Sequence, residues 1–292
     1  MNERRPGLLR WVLSPRMVVF PNAKINLGLN VVRKRADGYH DIETVMVPIP
    51  LHDVLEAVVD GSVPTGEVFY TRSGLVIDGD PEKDLTMRAL RLVASGHQLP
   101  GLRLHLHKVI PMGAGLGGGS SDAAHTLMLL DELLGLDIGT SRLQAMAAEL
   151  GSDCPFFLER RSCFASGRGE LLQPVSTNLH AHWLYLVHPG VHVSTADVYA
   201  GMEPTYRSID LASMLNNGEP ANWLGVLTNS MEGFVFAHHP EVGEIKQRLL
   251  STGASYASMS GSGSAVYGIY DHRPLALEWP ASHRSWILPL NT

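Results

Sequence analysis

Five of the seven residues from Gly113 to Gly119 are glycine, and the run PMGAGLGGGSS passes directly into a helical pattern. Ala123, Leu127, Leu130 and Leu134 recur at four, three and four spacing up to Gly135, which predicts a helix over Asp122 to Leu134. Ser120 or Ser121 is the expected N-cap. A loop almost without side chains at a helix N-terminus offers free amides and leaves an anion room to reach them. Lys108, a few residues upstream, would add charge. Gly113, Gly115 and Gly118 match G-x-G-x-x-G, yet the loop lies deep in the chain, and Asp131 and Glu132 near the required distance fall inside the helix. G-x-x-x-x-G-K-[ST] is absent. A plain flexible turn is the alternative reading of the glycines.

A chain of 292 residues predicts two packed domains with a cleft between them. Hydrophobic residues make up 45 % and charged residues 18 %, enough apolar surface to fold throughout. The formal charge of -6, without a Lys/Arg-rich face, argues against nucleic acid as a partner. Cys154 and Cys163 do not make a disulfide framework. No run approaches the roughly 18 to 20 apolar residues of a membrane span, and the opening segment, interrupted by Arg10, is a poor signal peptide. A cytoplasmic protein is expected, with residues 1–16 a disordered extension and the fold beginning near Met17.

MVVFPNAKINLGLNVV predicts two short strands around a turn at Pro21-Asn22, and ETVMVPIPLHDVLEAVV predicts further strand, so the first half reads as antiparallel. Leu102 to His107 alternates with period two. A helix is expected over Thr140 to Leu150, closed by a left-handed Gly151. The turn-rich ASGRGE marks the expected boundary between domains at 17–165 and 166–292. Beyond it come the strand HWLYLVHP, a helix from Pro240 to Leu250 with Val242, Ile245 and Leu249 inward, and a strand, glycine turn and strand in ASYASMSGSGSAVYGIYD.

Phosphoryl transfer needs positioning, charge neutralisation and a group that deprotonates or orients the acceptor. Asp153 in GSDCPFF and Lys24 in PNAKIN are the candidates. Taken alone, Asp153 also reads as a turn cap and Lys24 as a lysine snorkelling to solvent. The fourteen histidines form no recognisable metal motif, Cys154 abuts phenylalanines, and Ser262 lacks a nucleophile elbow.

PNAKINLGL, RADGYHDIET, PMGAGLGGGSSDAA, GSDCPFF and MSGSGSAV together resemble the GHMP small-molecule kinases over roughly Phe20 to Tyr270. NAKIN combined with DGYH is similar to one branch, the 4-diphosphocytidyl-2-C-methyl-D-erythritol kinases. The resemblance implies an α/β (α+β) fold with a ribosomal-S5-like N-terminal nucleotide domain, a C-terminal α/β sandwich domain and a cleft. It implies ATP with Mg²⁺ and phosphorylation of the substrate's 2-hydroxyl, where homoserine, mevalonate or sugar kinases, or a non-catalytic nucleotide-binding protein, are the alternatives. It assigns catalysis to Lys24 and Asp153. ATP goes to Pro111, Met112, Gly113, Ala114, Gly115, Leu116, Gly117, Gly118, Gly119, Ser120 and Ser121. Substrate contacts fall to Asn26, to Tyr39 and His40 at the cytosine, to Thr195 and the base-stacking Tyr199, and to Gly261 and Ser262 in the closing loop that runs to Ser264. The expected partner is the small-molecule substrate alone, with the chain a monomer or weak homodimer.

Overall fold

The computed structural model describes residues 15–204, 211, 214–215 and 218–290. The expected extension falls almost wholly outside these, as does part of the segment 202–223 that carries no readable motif. The first strand among the described residues, β1 (Arg16–Val19), pairs antiparallel with β4 (Val54–Val59). β6 (Leu102–Lys108) lies beside β4, and β5 (Val68–Gly74) closes the sheet parallel to β6. This parallel pair departs from the all-antiparallel expectation, because helical chain joins β5 to β6.

Pro21-Asn22 does not close a hairpin either. β2 (Asn22–Lys34) leaves β1 and pairs instead with β3 (His40–His52) in a second sheet of order β2-β3-β7-β8, where β7 is Cys163–Ser166 and β8 is Leu171–Pro174. The expected boundary at 165/166 therefore falls inside β7, and the chain leaves this sheet after Pro174. A third sheet, β10-β11-β9-β12, comprises β9 (His182–His188), β10 (Tyr256–Met259), β11 (Val266–Tyr270) and β12 (Arg284–Leu290). β12 had no sequence signal of its own, and its Pro289 is tolerated because the strand lies at the sheet edge.

Period two decides what β2 does. Ala23, Ile25 and Leu27 point one way, into a core shared with Val45, Val47 and Ile49 of β3 and with Leu184, Leu186, Tyr267 and Ile269 of the third sheet. Lys24 and Asn26 point the other way. The two halves are thus joined through an apolar sheet-on-sheet layer, and the polar face of β2 looks toward the helices.

The first sheet is covered by α1 (Leu85–Ala94), α2 (Gly118–Leu134) and α3 (Thr140–Leu150), with Leu55, Leu104, Leu106, Leu90, Leu127 and Leu130 in one cluster. The helix Pro240–Ser251 covers the third sheet through Val242, Ile245 and Leu249, as the spacing predicts. Two caps differ from expectation. α2 begins at Gly118 with left-handed Gly117 as its N-cap, so Ser120 and Ser121 lie within the first turn. Gly151, after α3, is extended at φ 172° and not left-handed.

Candidate active site

The glycine segment reaches the site because its entry is held from below. Asp53, fully buried, accepts the amides of Val109 (2.5 Å) and Ile110 (2.9 Å) and pairs with the ammonium of Lys108. Lys108 also meets Asp122 at 2.8 Å. Burial opposes its charge, but the two carboxylates outweigh burial and raise its pKa. Lys108 is therefore committed to the scaffold and does not supply the free charge expected of it.

Beyond it the backbone turns three times through the left-handed region, at Gly113 (φ 59°), Gly115 (φ 75°) and Gly117 (φ 70°), before the helix starts. A Cβ on Gly115 would lie 1.9 Å from the Ser260 carbonyl oxygen, so only glycine lets this loop touch the C-terminal one. Pro111, Ala114 and Leu116 are buried, so their share in any phosphate site is backbone. Ser121 is fully buried and faces His125, while Ser120, Gly119 and exposed Met112 stand nearer solvent.

Lys24 is 3 % exposed, and its Nζ donates to Asn26 Oδ1 at 2.5 Å and to the Gly115 carbonyl at 3.0 Å. Asp153 Oδ2 stands 3.6 Å from it. Burial lowers the pKa of Lys24, and Asp153 acts against that. Asp153 occupies the N-cap position of α4 (Cys154–Glu159) but makes no capping bond, so its carboxylate is left for the cleft and the turn-cap reading falls away. Burial pushes the Cys154 thiol up to about 12, which removes it as a nucleophile.

Asn26 lines the same cavity as Lys24 and also serves the protein. Its Oδ1 holds Lys24 and its Nδ2 donates to Thr44 Oγ1 at 3.1 Å, so both ends are occupied by protein.

The Lys24–Asp153 pair opens on a cavity of about 200 Å³ lined also by Gly113, Gly115, Gly117, Thr195, Tyr199, Gly261 and Ser262. Ser194 caps α5 (Thr195–Gly201), and the Thr195 hydroxyl bonds that of Ser262 at 2.7 Å, tying α5 to the C-terminal glycine loop. Asn229 braces this loop through its Nδ2, which donates to the carbonyls of Met259 (2.9 Å) and Gly261 (2.8 Å).

Next to it, a cavity of about 510 Å³ is lined by Lys34, Tyr39, His40, Arg168, Thr195 and Tyr199. His40 stacks on Tyr199 with centroids 4.7 Å apart and planes at 17°, covering one face of the tyrosine. Burial lowers the pKa of His40, and Lys34 adds to this; burial and Asp153 push the Tyr199 phenol up to about 12. A third cavity, about 300 Å³, lies beyond Gly119, with Ile77, Leu85, Leu106 and Met112 as its apolar wall and Asp78, Asp80, Lys83, Asp84 and Asp122 also lining it.

Lys24, Asn26, Asp153, Thr195, Tyr199, Gly261 and Ser262 thus line the first of these cavities and Tyr39 and His40 the second, while Met112 and Gly119 face the third and Pro111, Ala114, Leu116, Gly118, Ser120 and Ser121 line none of them. Asp53, Asn229, Arg168 and the apolar wall of Ile42, Met46 and Met231 were not found by sequence reasoning. Arg168 lies in the turn-rich ASGRGE, whose sequence marks the expected domain boundary and carries no signal of a site beyond the arginine itself. Among the described residues no cluster of three or more His, Cys, Asp or Glu side chains could hold a metal. No helix among them is long and apolar enough to cross a membrane.

The family model for the GHMP kinases N terminal domain matches residues 84–160, and that for the GHMP kinases C terminal region matches 210–278. The chain is 44 % identical over 255 residues to a 4-diphosphocytidyl-2-C-methyl-D-erythritol kinase of Parabacteroides distasonis, covering 87 % of this chain and 92 % of the relative. A protein of the same description from Cytophaga hutchinsonii is 41 % identical, with 94 % and 100 % covered. A crystal structure of a 4-(cytidine 5'-diphospho)-2C-methyl-D-erythritol kinase superposes with a TM-score of 0.71 at 36 % identity, covering 86 % and 89 %. A homoserine kinase of Cytophaga hutchinsonii shares the fold alone, at TM-score 0.63 and 14 % identity over 98 % of both chains.

Proposed function

The chain belongs to the GHMP kinases, and within them to the 4-diphosphocytidyl-2-C-methyl-D-erythritol kinases, and on that premise we propose the part each residue plays. It is an ATP-dependent kinase that phosphorylates the 2-hydroxyl of 4-diphosphocytidyl-2-C-methyl-D-erythritol, a step toward isoprenoid precursors. The observation that carries the assignment of roles is the Lys24–Asp153 pair standing 3.6 Å apart between two glycine loops.

The acceptor is a tertiary alcohol, hindered and weakly acidic. Asp153 orients it and takes its proton as the phosphoryl group arrives, while Lys24, 3.6 Å away, draws off developing charge. Asn26 fixes the lysine in place. The amides from Gly113 to Ser120 and the N-terminus of α2 hold the triphosphate, and the cavity beyond Gly119 takes the purine against its Ile77, Leu85, Leu106 and Met112 wall. Leu29, Ile42, Met46 and Met231 offer the acceptor's methyl group an apolar wall. The cytosine enters the larger cavity, where Tyr39 and Tyr199 supply ring faces and His40 a hydrogen-bonding edge. Thr195, Ser262 and Gly261 close over the sugar alcohol.

Mg²⁺ enters with the nucleotide in this reading. It keeps several waters and takes few protein ligands beside phosphate oxygens, which fits a catalytic cavity where, among the described residues, Asp153 is the one lining carboxylate. When bound it neutralises charge on the phosphates. The protein works in the cytoplasm, as a monomer or weak homodimer, on small molecules and without nucleic acid.

The test mixes the purified chain with ATP, Mg²⁺ and the diphosphocytidyl substrate and follows ADP release beside an Asp153→Ala variant. Release is expected to depend on that substrate, to be absent with homoserine or mevalonate, and to fall roughly 10²- to 10⁴-fold in the variant. Unchanged turnover in the variant would overturn the role given to Asp153.

A further inference from the structure

A substrate that joins a cytidine to a sugar alcohol carries its diphosphate between the two, so the negative charge must cross from the base cavity to the catalytic one. Three residues line both cavities: Arg168, Thr195 and Tyr199. Arg168 alone of these is a cation. Lys24 is already engaged with Asn26, Gly115 and Asp153, and Lys34 lines only the base cavity. We propose that Arg168 binds the substrate's diphosphate and thereby sets the preference for a cytidine diphosphate-linked acceptor. The inference rests on the function given above.

The arginine is placed for this by its turn. The Gly167 carbonyl accepts the Ile42 amide at 2.7 Å, and the Gly169 amide donates to Ser166 at 3.1 Å, so the loop between β7 and β8 is anchored to β3. Its backbone amide donates to Glu170 Oε2 at 2.6 Å. A Cβ on Gly169 would stand 3.5 Å from Asp153 Oδ1, so the turn backs onto the catalytic carboxylate.

From there the side chain extends toward the base cavity, with its guanidinium 4.9 Å from the centre of the Tyr39 ring. The ring holds it by cation–π attraction and limits the rotamer freedom lost on binding. The guanidinium makes no hydrogen bond to the described residues. Its nearest carboxylate oxygen, Glu170 Oε1, is 3.6 Å from Nε. A planar fork of donors, 31 % exposed and already oriented, suits two phosphate oxygens better than an ammonium would.

The experiment measures the affinity of cytidine, CMP and CDP by calorimetry for the full chain and for Arg168→Gln and Arg168→Lys, together with steady-state kinetics. In the unaltered chain CDP should bind more tightly than cytidine. Arg168→Gln should lose about ten- to a hundredfold of that gain while cytidine affinity stays within about twofold, and Arg168→Lys should recover part of it. KM for the diphosphocytidyl substrate should rise in step, with KM for ATP and kcat within about twofold. The proposal is overturned if CDP gains as much over cytidine in Arg168→Gln as in the unaltered chain, or if CDP gains nothing over cytidine in the unaltered chain. Failure of the unaltered chain to phosphorylate a substrate whose CDP portion it binds would sink the functional reading instead, leaving the CDP gain to judge the arginine.

Discussion

Replacing Asp153 by Asn keeps the shape of the side chain and removes one charge from a pair whose other member cannot reach water. Lys24 is 3 % exposed, and burial already lowers its pKa, with Asp153 opposing that effect. At 3.6 Å the lost attraction is about 1 kcal/mol at the dielectric constant of water and about 5 kcal/mol at an effective value of 20. The Asp153 side chain is 32 % exposed, which screens the pair, so a loss of about 1–2 kcal/mol at pH 7 is expected.

The sign of the pH dependence follows from linkage. A lysine whose folded pKa lies below its unfolded value binds its proton more tightly when unfolded, so stability rises with pH between the two. The penalty is fully present below the folded pKa and fades as pH climbs from there toward the ordinary lysine value of 10.5. Asp153→Asn depresses the folded pKa further and widens this window. Urea denaturation at pH 7 and pH 9.5 should therefore show a gap between the variant and the unaltered chain that narrows at the higher pH. Adding Lys24→Met should restore stability at pH 7, since no buried ammonium remains. A gap equal at both pH values, or a double variant weaker than Asp153→Asn alone, would refute the reasoning.

Gly115→Ala forces a Cβ to within 1.9 Å of the Ser260 carbonyl and places a side chain at φ 75°. The backbone conformation alone costs about 1–2 kcal/mol, so a lowered melting temperature and a sharply raised KM for ATP are expected, checked by calorimetry and ADP release. Asp53→Ala strips Lys108 of one carboxylate and leaves the amides of Val109 and Ile110 without their acceptor. Removing one partner of a buried pair costs about 3–5 kcal/mol, and urea denaturation should find a loss of that order. Tyr199→Ala should raise KM for the diphosphocytidyl substrate by the factor that about 1–3 kcal/mol of base stacking represents. Tyr199→Phe, which keeps the ring, should leave KM within a few-fold in the same ADP-release assay.

Local chemistry made part of this protein legible from residues alone. Five glycines before a four-three-four apolar pattern announce a glycine loop at a helix start, and the alternation from Leu102 to His107 announces a strand with one buried face. Period two likewise puts Lys24 and Asn26 on one side of β2. These features depend on residues within a few positions of each other, so no partner from elsewhere is needed to read them. The family motifs then brought Asp153, Tyr39, His40, Thr195 and Tyr199 into the expected site.

What depends on distant partners was decided only by tertiary structure. Pro21-Asn22 reads as a hairpin turn until β4 claims β1 and β3 claims β2. Lys108 looks like a spare cation until Asp53 and Asp122 arrive from 55 and 14 residues away. Asn26 shows no tie to the lysine in the sequence beyond sharing a strand face, until folding sets its amide between Lys24 and Thr44. Arg168 looks like part of a turn until folding sets it between two cavities. The physical reason is common to all four: a charge or amide is assigned its role by whichever group satisfies it, and for these residues that group, or the cavity they face, comes from another part of the fold.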